Sequence, residues 1–263
     1  MIRWAPGMIT TLILLGSGPA FAAATSDYNG DGRSDILWRN DLTGADQLYL
    51  MNGAVISQNL AVTTVSPDWQ VVGRGDYNGD TKADILWRYT PTGALWIFLM
   101  DGNTVTASLF VATISDPDWR IVGEGDYNGD GKADILYRHR TLGTVWLYAL
   151  NSNTITLNTG IGVVPDSNWK VVGSGDYNGD GKYDILWRNI ATGTNWLYLM
   201  DGATILTSIG ISVTPDLNWE VVGNGDYDGD GKDDILWRNR VTGNNWLYLM
   251  DGTTILTRAS ISV

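Results

Sequence analysis

Short apolar runs alternate with clusters of Gly, Asn, Asp and Pro along most of the chain. Residues 168–213 display the pattern: NWKVVGSG (168–175), DYNGDGKYD (176–184), ILWRN (185–189), IATG (190–193), TNWLYLMDG (194–202) and ATILTSIGISV (203–213), followed by Thr214-Pro215. The apolar runs are short and rich in Val, Ile, Leu, Trp and Tyr, which is the signature of a strand. None carries the 3.6-residue period over the roughly ten residues that a helix needs. The strands are apolar on both faces. In WLYLM, Trp196, Tyr198 and Met200 fall on one face, and Leu197 and Leu199 on the other. A sheet with one wet face would alternate polar and apolar residues. These sheets are therefore expected to be covered on both sides, as radially stacked four-stranded sheets are.

The unit recurs. The string Gly-Asp-Tyr-Asn-Gly-Asp begins at Gly75, Gly125 and Gly175. Gly225 starts the same string with Asp228 in place of Asn, and a first copy begins at Asp27 without the Gly. The leading aspartates are spaced 49, 50, 50 and 50 residues apart. A fixed period of this size marks a repeat architecture. The predicted fold class is all-β, a single β-propeller domain over 25–263 with about five four-stranded blades. Its repeats run at about 25–67, 68–117, 118–165, 166–215 and 216–263. Repeats two to five each have a first strand, at Trp69, Trp119, Trp169 and Trp219, and repeat one has no equivalent. The first blade is expected to have three strands, to borrow one from another chain, or to leave the ring incomplete. An unpaired blade edge invites self-association.

Residues 1–24 read differently. Arg3 precedes an apolar stretch over 8–15, and Ala20-Phe21-Ala22 or Ala22-Ala23-Ala24 offers small residues for cleavage. This is the pattern of a signal peptide. The stretch is shorter than the roughly 20 residues a membrane-spanning helix needs, and no later segment is a transmembrane candidate. The expected location is secreted, extracellular or periplasmic.

Composition narrows the chemistry. The 263 residues include no Cys and one His. A thiolate metal site, an iron–sulfur cluster, a disulfide scaffold and a cysteine nucleophile are thereby excluded. Lys and Arg total 17 against 29 Asp and Glu, a net charge of −12. Nucleic acid is not an expected partner, because phosphate neutralisation needs clustered cations.

Of the 29 acidic residues, 16 occupy positions one, three, five and nine of five loops of the form D-x-N-x-D-G-x-x-D. They are Asp27-Asn29-Asp31-Asp35, Asp76-Asn78-Asp80-Asp84, Asp126-Asn128-Asp130-Asp134, Asp176-Asn178-Asp180-Asp184 and Asp226-Asp228-Asp230-Asp234. Oxygen donors at alternate positions suit a hard cation, and calcium takes six to eight of them. Position seven, at Arg33, Lys82, Lys132, Lys182 and Lys232, would offer its backbone carbonyl. Up to five Ca2+ ions are expected. An EF-hand is excluded, because position twelve is Trp38, Trp87, Tyr137, Trp187 or Trp237 rather than Glu. Repeat two carries Thr81 where the others have Gly at position six, which makes its occupancy the least secure.

The string V-V-G-x-G-D-Y-N-G-D-G-K-x-D-I-L-W-R resembles the FG-GAP, or VCBS-type, repeat family, best known from integrin α-chain propellers. The resemblance implies that each loop joins the first two strands of a blade and binds calcium. It assigns the side chains of positions one, three, five and nine, and the carbonyl of position seven, as ligands. Propellers of that family are commonly seven-bladed, whereas five units are visible here.

Twelve tryptophans beyond the leader fall into three sets. Trp69, Trp119, Trp169 and Trp219 lie on first strands, Trp38, Trp87, Trp187 and Trp237 on second strands, and Trp96, Trp146, Trp196 and Trp246 on third strands. They are read as inter-blade packing, with sugar stacking as the functional alternative. Arg39, Arg88, Arg138, Arg188 and Arg238 recur on second strands. They are read as pairing with a loop carboxylate or stacking on an aromatic ring, with ligand binding as the alternative. His139 is read as a surface variant. The expected function is an exported calcium-binding module for carbohydrate or a cell-surface protein, with calcium structural. No catalytic residues are assigned, because no nucleophile–base pair or phosphate loop occurs. The alternative is the propeller portion of a polysaccharide-active enzyme.

Overall fold

A computed structural model describes residues 26–261. The expected leader and its cleavage site lie outside the described residues. Within them are nineteen strands and no helix. Blade one has three: β1 (Ile36–Arg39), β2 (Asp46–Asn52) and β3 (Val55–Ala61). Blade two is β4 (Trp69–Gly75), β5 (Asp84–Tyr89), β6 (Ala94–Asp101) and β7 (Thr104–Thr113). Blade three is β8 (Trp119–Gly125), β9 (Asp134–His139), β10 (Thr144–Asn151) and β11 (Thr154–Val163). Blade four is β12 (Trp169–Gly175), β13 (Asp184–Asn189), β14 (Thr194–Asp201) and β15 (Thr204–Val213). Blade five is β16 (Trp219–Gly225), β17 (Asp234–Asn239), β18 (Asn245–Asp251) and β19 (Thr254–Ile261). Every sheet is an antiparallel meander in chain order, and β4, β8, β12 and β16 pack side by side at the centre. Among the described residues the protein forms a five-blade propeller whose first blade has three strands, without the inner strand of the others.

The two-faced strands form four inter-blade cores. Leu197 and Leu199 of β14 face blade five, against Ile235, Trp237 and Met250. Trp196, Tyr198 and Met200 face blade three, against Tyr127, Leu136 and Leu147. The alternation read from WLYLM is the alternation of two neighbouring cores. The second-strand rings Trp87, Trp187 and Trp237 are fully buried in these joints. Truncating such a ring to Ala typically costs about 3–5 kcal/mol.

The recurring arginines are clasps across the joints. Arg39 donates to the carbonyls of Val65, Ser66 and Trp69, and Arg88 to those of Ile114 and Trp119. Arg138 donates to Val164, Asp166 and Trp169, and Arg188 to Gly193 and Thr214. Three of them also lie over the next blade's Trp: Arg39 over Trp87 at 4.7 Å, Arg138 over Trp187 at 5.2 Å and Arg188 over Trp237 at 5.0 Å. Stacking was thus correctly expected. Pairing with a loop carboxylate was not, since the guanidinium groups donate mainly to carbonyls of the linker into the next blade, and those of Arg39 and Arg188 also to the turn of their own blade. The single carboxylate partner, Asp46 of Arg39, belongs to a strand.

Blade five presents the same residues to open space. Tyr227 and Leu247 are only half-buried, and Arg238 is exposed, whereas their counterparts in blades one to four are more fully covered. Among the described residues no apolar cluster or hydrogen bond joins blade five to blade one.

Candidate metal centre

The five acidic loops sit together at one end of the propeller, four of them between a blade's first and second strands and the loop at Asp27 directly before β1. Backbone N–H groups fold every loop around its leading aspartate. In repeat three, Asp126 Oδ1 accepts from Gly129 at 2.6 Å and Asp130 at 3.1 Å, and Oδ2 accepts from Gly131 at 2.7 Å. Asn128 Oδ1 accepts from Asp130, and Asp130 Oδ1 accepts from Lys132. The same bonds recur around Asp27, Asp76, Asp176 and Asp226. This winding requires a left-handed backbone at position six. Gly32, Gly131, Gly181 and Gly231 take φ of 81°, 81°, 83° and 87°, and Thr81 is forced to 70°. A β-branched residue there is strained by about 1–2 kcal/mol. Thr81→Gly is expected to raise stability by about 1 kcal/mol in urea unfolding, with no change in the loop bonds.

Position nine is the anchor. Asp35, Asp84, Asp134, Asp184 and Asp234 are all buried. In each, Oδ2 accepts the N–H of the tyrosine at position two, and Oδ1 accepts an N–H of the second-to-third strand pair, such as Tyr77 and Met100 for Asp84, at 3.0 and 2.9 Å. The loop is thereby tied to its own third strand. Burial outweighs these bonds and pushes the carboxyls of Asp84, Asp134 and Asp184 up to about 7, with the other loop carboxylates adding repulsion. A raised carboxyl pKa means that the folded chain holds protons the unfolded chain has released. Stability of the metal-free protein therefore falls as pH rises from the usual carboxylate range through about 7. Thermal unfolding with chelator is expected to give a higher Tm at about pH 5 than at about pH 8. Saturating calcium should flatten or reverse that slope, because protons compete with the ion.

Charge convergence is clearest in repeat five. Carboxylate oxygens of Asp226, Asp228 and Asp234 lie within 4.8 Å of one another. Asp230 is outside this group, and its Oδ2 lies 3.5 Å from Lys232 Nζ. Repeats one to four place Asn29, Asn78, Asn128 and Asn178 at position three. An all-oxygen donor set of this kind fits calcium.

Each loop is also bonded to its neighbour. Ala83, Ala133, Tyr183 and Asp233, at position eight, donate to the carbonyls of Asp27, Asp76, Asp126 and Asp176 in the preceding loop, at 2.6 to 2.7 Å. Gly102, Ser152, Gly202 and Gly252 donate to Tyr28, Tyr77, Tyr127 and Tyr177. The stems of Lys82, Lys132, Lys182 and Lys232 cover glycines of the preceding loop.

A second group, Asp116, Asp118 and His139, also lies within 4.8 Å. His139 is buried, which corrects its reading as a surface variant. Its Nδ1 accepts from Leu142 N–H at 3.1 Å, so Nε2 carries the proton that faces Asp116. Asn189 and Asn239 make the same pattern, accepting from the following turn through Oδ1 and donating to Asp166 and Asp216 through Nδ2. His139 substitutes for Asn as a turn lock, with both nitrogens in use.

The first- and third-strand tryptophans form a further repeated feature. Trp69–Trp96, Trp119–Trp146, Trp169–Trp196 and Trp219–Trp246 meet edge to face at 6.2 to 6.4 Å, and all are partly exposed. They lie at the start of the first strand, so that about 20 Å of strand separates them from the loops.

Sheet order, blade count and the acidic loops define a β-propeller built from loop-bearing repeats. The model of the FG-GAP-like repeat matches residues 27–87, 76–137, 126–187 and 176–237. The chain belongs to the FG-GAP-like repeat family. Among curated proteins none matches. Several solved structures share the fold. One is the Tc holotoxin pore of Photorhabdus luminescens, with a TM-score of 0.60 and 14% identity over 97% of this chain. The chain spans only 12% of that toxin's length. The calcium-binding protein regucalcin of Agrobacterium tumefaciens gives 0.52 and 15%, covering 94% of this chain and 75% of that one. Oligogalacturonate lyase of Vibrio parahaemolyticus gives 0.50 and 12%, covering 91% and 64%.

Proposed function

We infer that the chain is an exported, calcium-stabilised propeller that acts as a non-catalytic binding module for carbohydrate or a cell-surface protein. The observation that carries this reading is the bonding of each acidic loop to its own third strand and to the next loop. A cation that orders one loop would also order the joint beside it. Positions one, three, five and nine, with the carbonyls of Arg33, Lys82, Lys132, Lys182 and Lys232, would hold the ions. Bound calcium supplies the positive charge that offsets five clusters of carboxylates. The half-exposed Trp pairs at the other end support a sugar-binding role, since an indole offers an apolar face with a polar edge. Export rests on the sequence of residues 1–24. No helix of the described residues is long and apolar enough to cross a membrane.

Calorimetric titration of calcium into the stripped chain, followed by a glycan array on the loaded chain, tests both halves. Calcium uptake at several sites and a defined set of bound glycans are expected. A folded, loaded protein that binds no glycan would sink the carbohydrate half, and failure to take up calcium would sink the other.

A further inference from the structure

The joint between blades two and three departs from its three siblings. Blades two, four and five carry Trp87, Trp187 and Trp237 at one second-strand position, and blade three carries Tyr137. The smaller ring gives Arg88 no indole to stack on, unlike Arg39, Arg138 and Arg188. Two cavities open in this joint. One, of about 190 Å3, is walled by Trp119, Tyr137, Trp146, Tyr148 and Asn158. The other, of about 410 Å3, is walled by Gln70, Arg88, Thr90 and Arg120, with Pro117 and Ile121 beneath. Both border the start of β8.

Charge sets the second cavity apart. The chain carries −12 overall, yet this groove has two guanidinium groups and no carboxylate in its wall. Among the described residues neither Arg88 nor Arg120 forms an ion pair. Burial pushes the Arg88 guanidinium below its usual range, with Tyr137 and Asp116 opposing the shift and Arg120 adding to it. Arg120 is also particular to this blade, since Gln70, Lys170 and Glu220 stand at its position elsewhere.

We propose that this joint binds an acidic sugar, a hexuronate unit of a glycan. The proposal rests on the carbohydrate reading above and narrows it to one joint and one chemistry. The sugar ring packs against Trp119, Trp146 and Tyr148, where indole and phenol faces offer apolar surface with a polar rim. Asn158, already accepting from Trp146 Nε1 at 2.7 Å, adds an amide for a ring hydroxyl. The carboxylate goes to the guanidinium N–H groups of Arg88 and Arg120 left over by their bonds to the Ile114, Trp119 and Pro117 carbonyls. The site lies at the end away from the acidic loops, so their charge does not oppose the ligand at short range.

The test uses the full, calcium-loaded chain with glucuronate, glucose and inorganic sulfate as probes, in calorimetry and ligand-observed NMR. One glucuronate per chain is expected, bound at least roughly tenfold more tightly than glucose. Arg120→Glu and Tyr137→Trp should each weaken it by at least roughly tenfold. These replacements are residues that sibling blades carry at the same positions, and unfolding curves check that both variants fold. Equal affinity for glucose overturns the acidic part, and sulfate as tight as glucuronate overturns the sugar part. Variants with unchanged affinity overturn the site. Four or more sugars per chain would keep carbohydrate binding and move it to the repeated Trp pairs, overturning the single joint. No binding of any probe, with glycans bound on an array, overturns this proposal alone. A silent array with no probe bound overturns the broader reading as well.

Discussion

Stripping calcium from the purified chain is expected to lower its melting temperature by about 20 °C or more. An ion at a hundredfold excess over its Kd adds about 2.7 kcal/mol per site when it binds only the folded state. For a domain of this size each kcal/mol moves Tm by about 2–4 °C. Four occupied loops reach the stated shift even at the low end of that range. The physical source is local. Without the ion, each leading aspartate, the aspartate at position five and a buried position-nine aspartate hold like charges in one turn, joined in repeat five by Asp228. Magnesium should restore less than calcium, because it demands a stricter octahedral shell. Differential scanning calorimetry with chelator, then with each ion returned, measures the effect. An unchanged Tm after rigorous removal would refute a structural role for calcium.

The second large effect separates two arginines that are identical by sequence position. Arg188→Ala should cost about 3 kcal/mol. It strands the carbonyl of Thr214 and the amide oxygen of Asn195, leaves the Gly193 carbonyl with the Thr214 N–H alone, and uncovers Trp237. Arg238→Ala should stay within about 0.5 kcal/mol, because its side chain is exposed and bonds only Asn245. Urea unfolding of the two variants gives both numbers. Equal losses would mean that blade five is clasped in solution as blades one to four are, and that the ring closes there.

Much of this was legible in the sequence. Alternation within WLYLM named both cores that β14 enters, because a side chain's face on a strand is fixed by parity alone. The loops were legible for a similar reason, since positions one, three, five and nine are close in sequence as well as in space. Thr81 announced its strained backbone by standing where four glycines stand. The arginines were misread because their acceptors are backbone carbonyls 26 to 31 residues away, and a carbonyl has no residue signature. His139 was misread because a ring nitrogen pair can reproduce an amide's donor and acceptor only when the turn that follows is in place. The opening of the blade two–three joint hung on Tyr137, one substitution whose effect appears only when Arg88 is seen beside it.

The hydrogen bonds from each loop to the one before it have a statistical consequence. The loops form a row of coupled two-state sites, each biased by its neighbours, as in a one-dimensional magnet. Bound ions would then be expected to spread along the row rather than fill it loop by loop. The three interior loops have a neighbour on each side, and the loops at Asp27 and Asp226 have one. Filling should therefore begin in the interior, and fluctuation should concentrate at the two ends of the row.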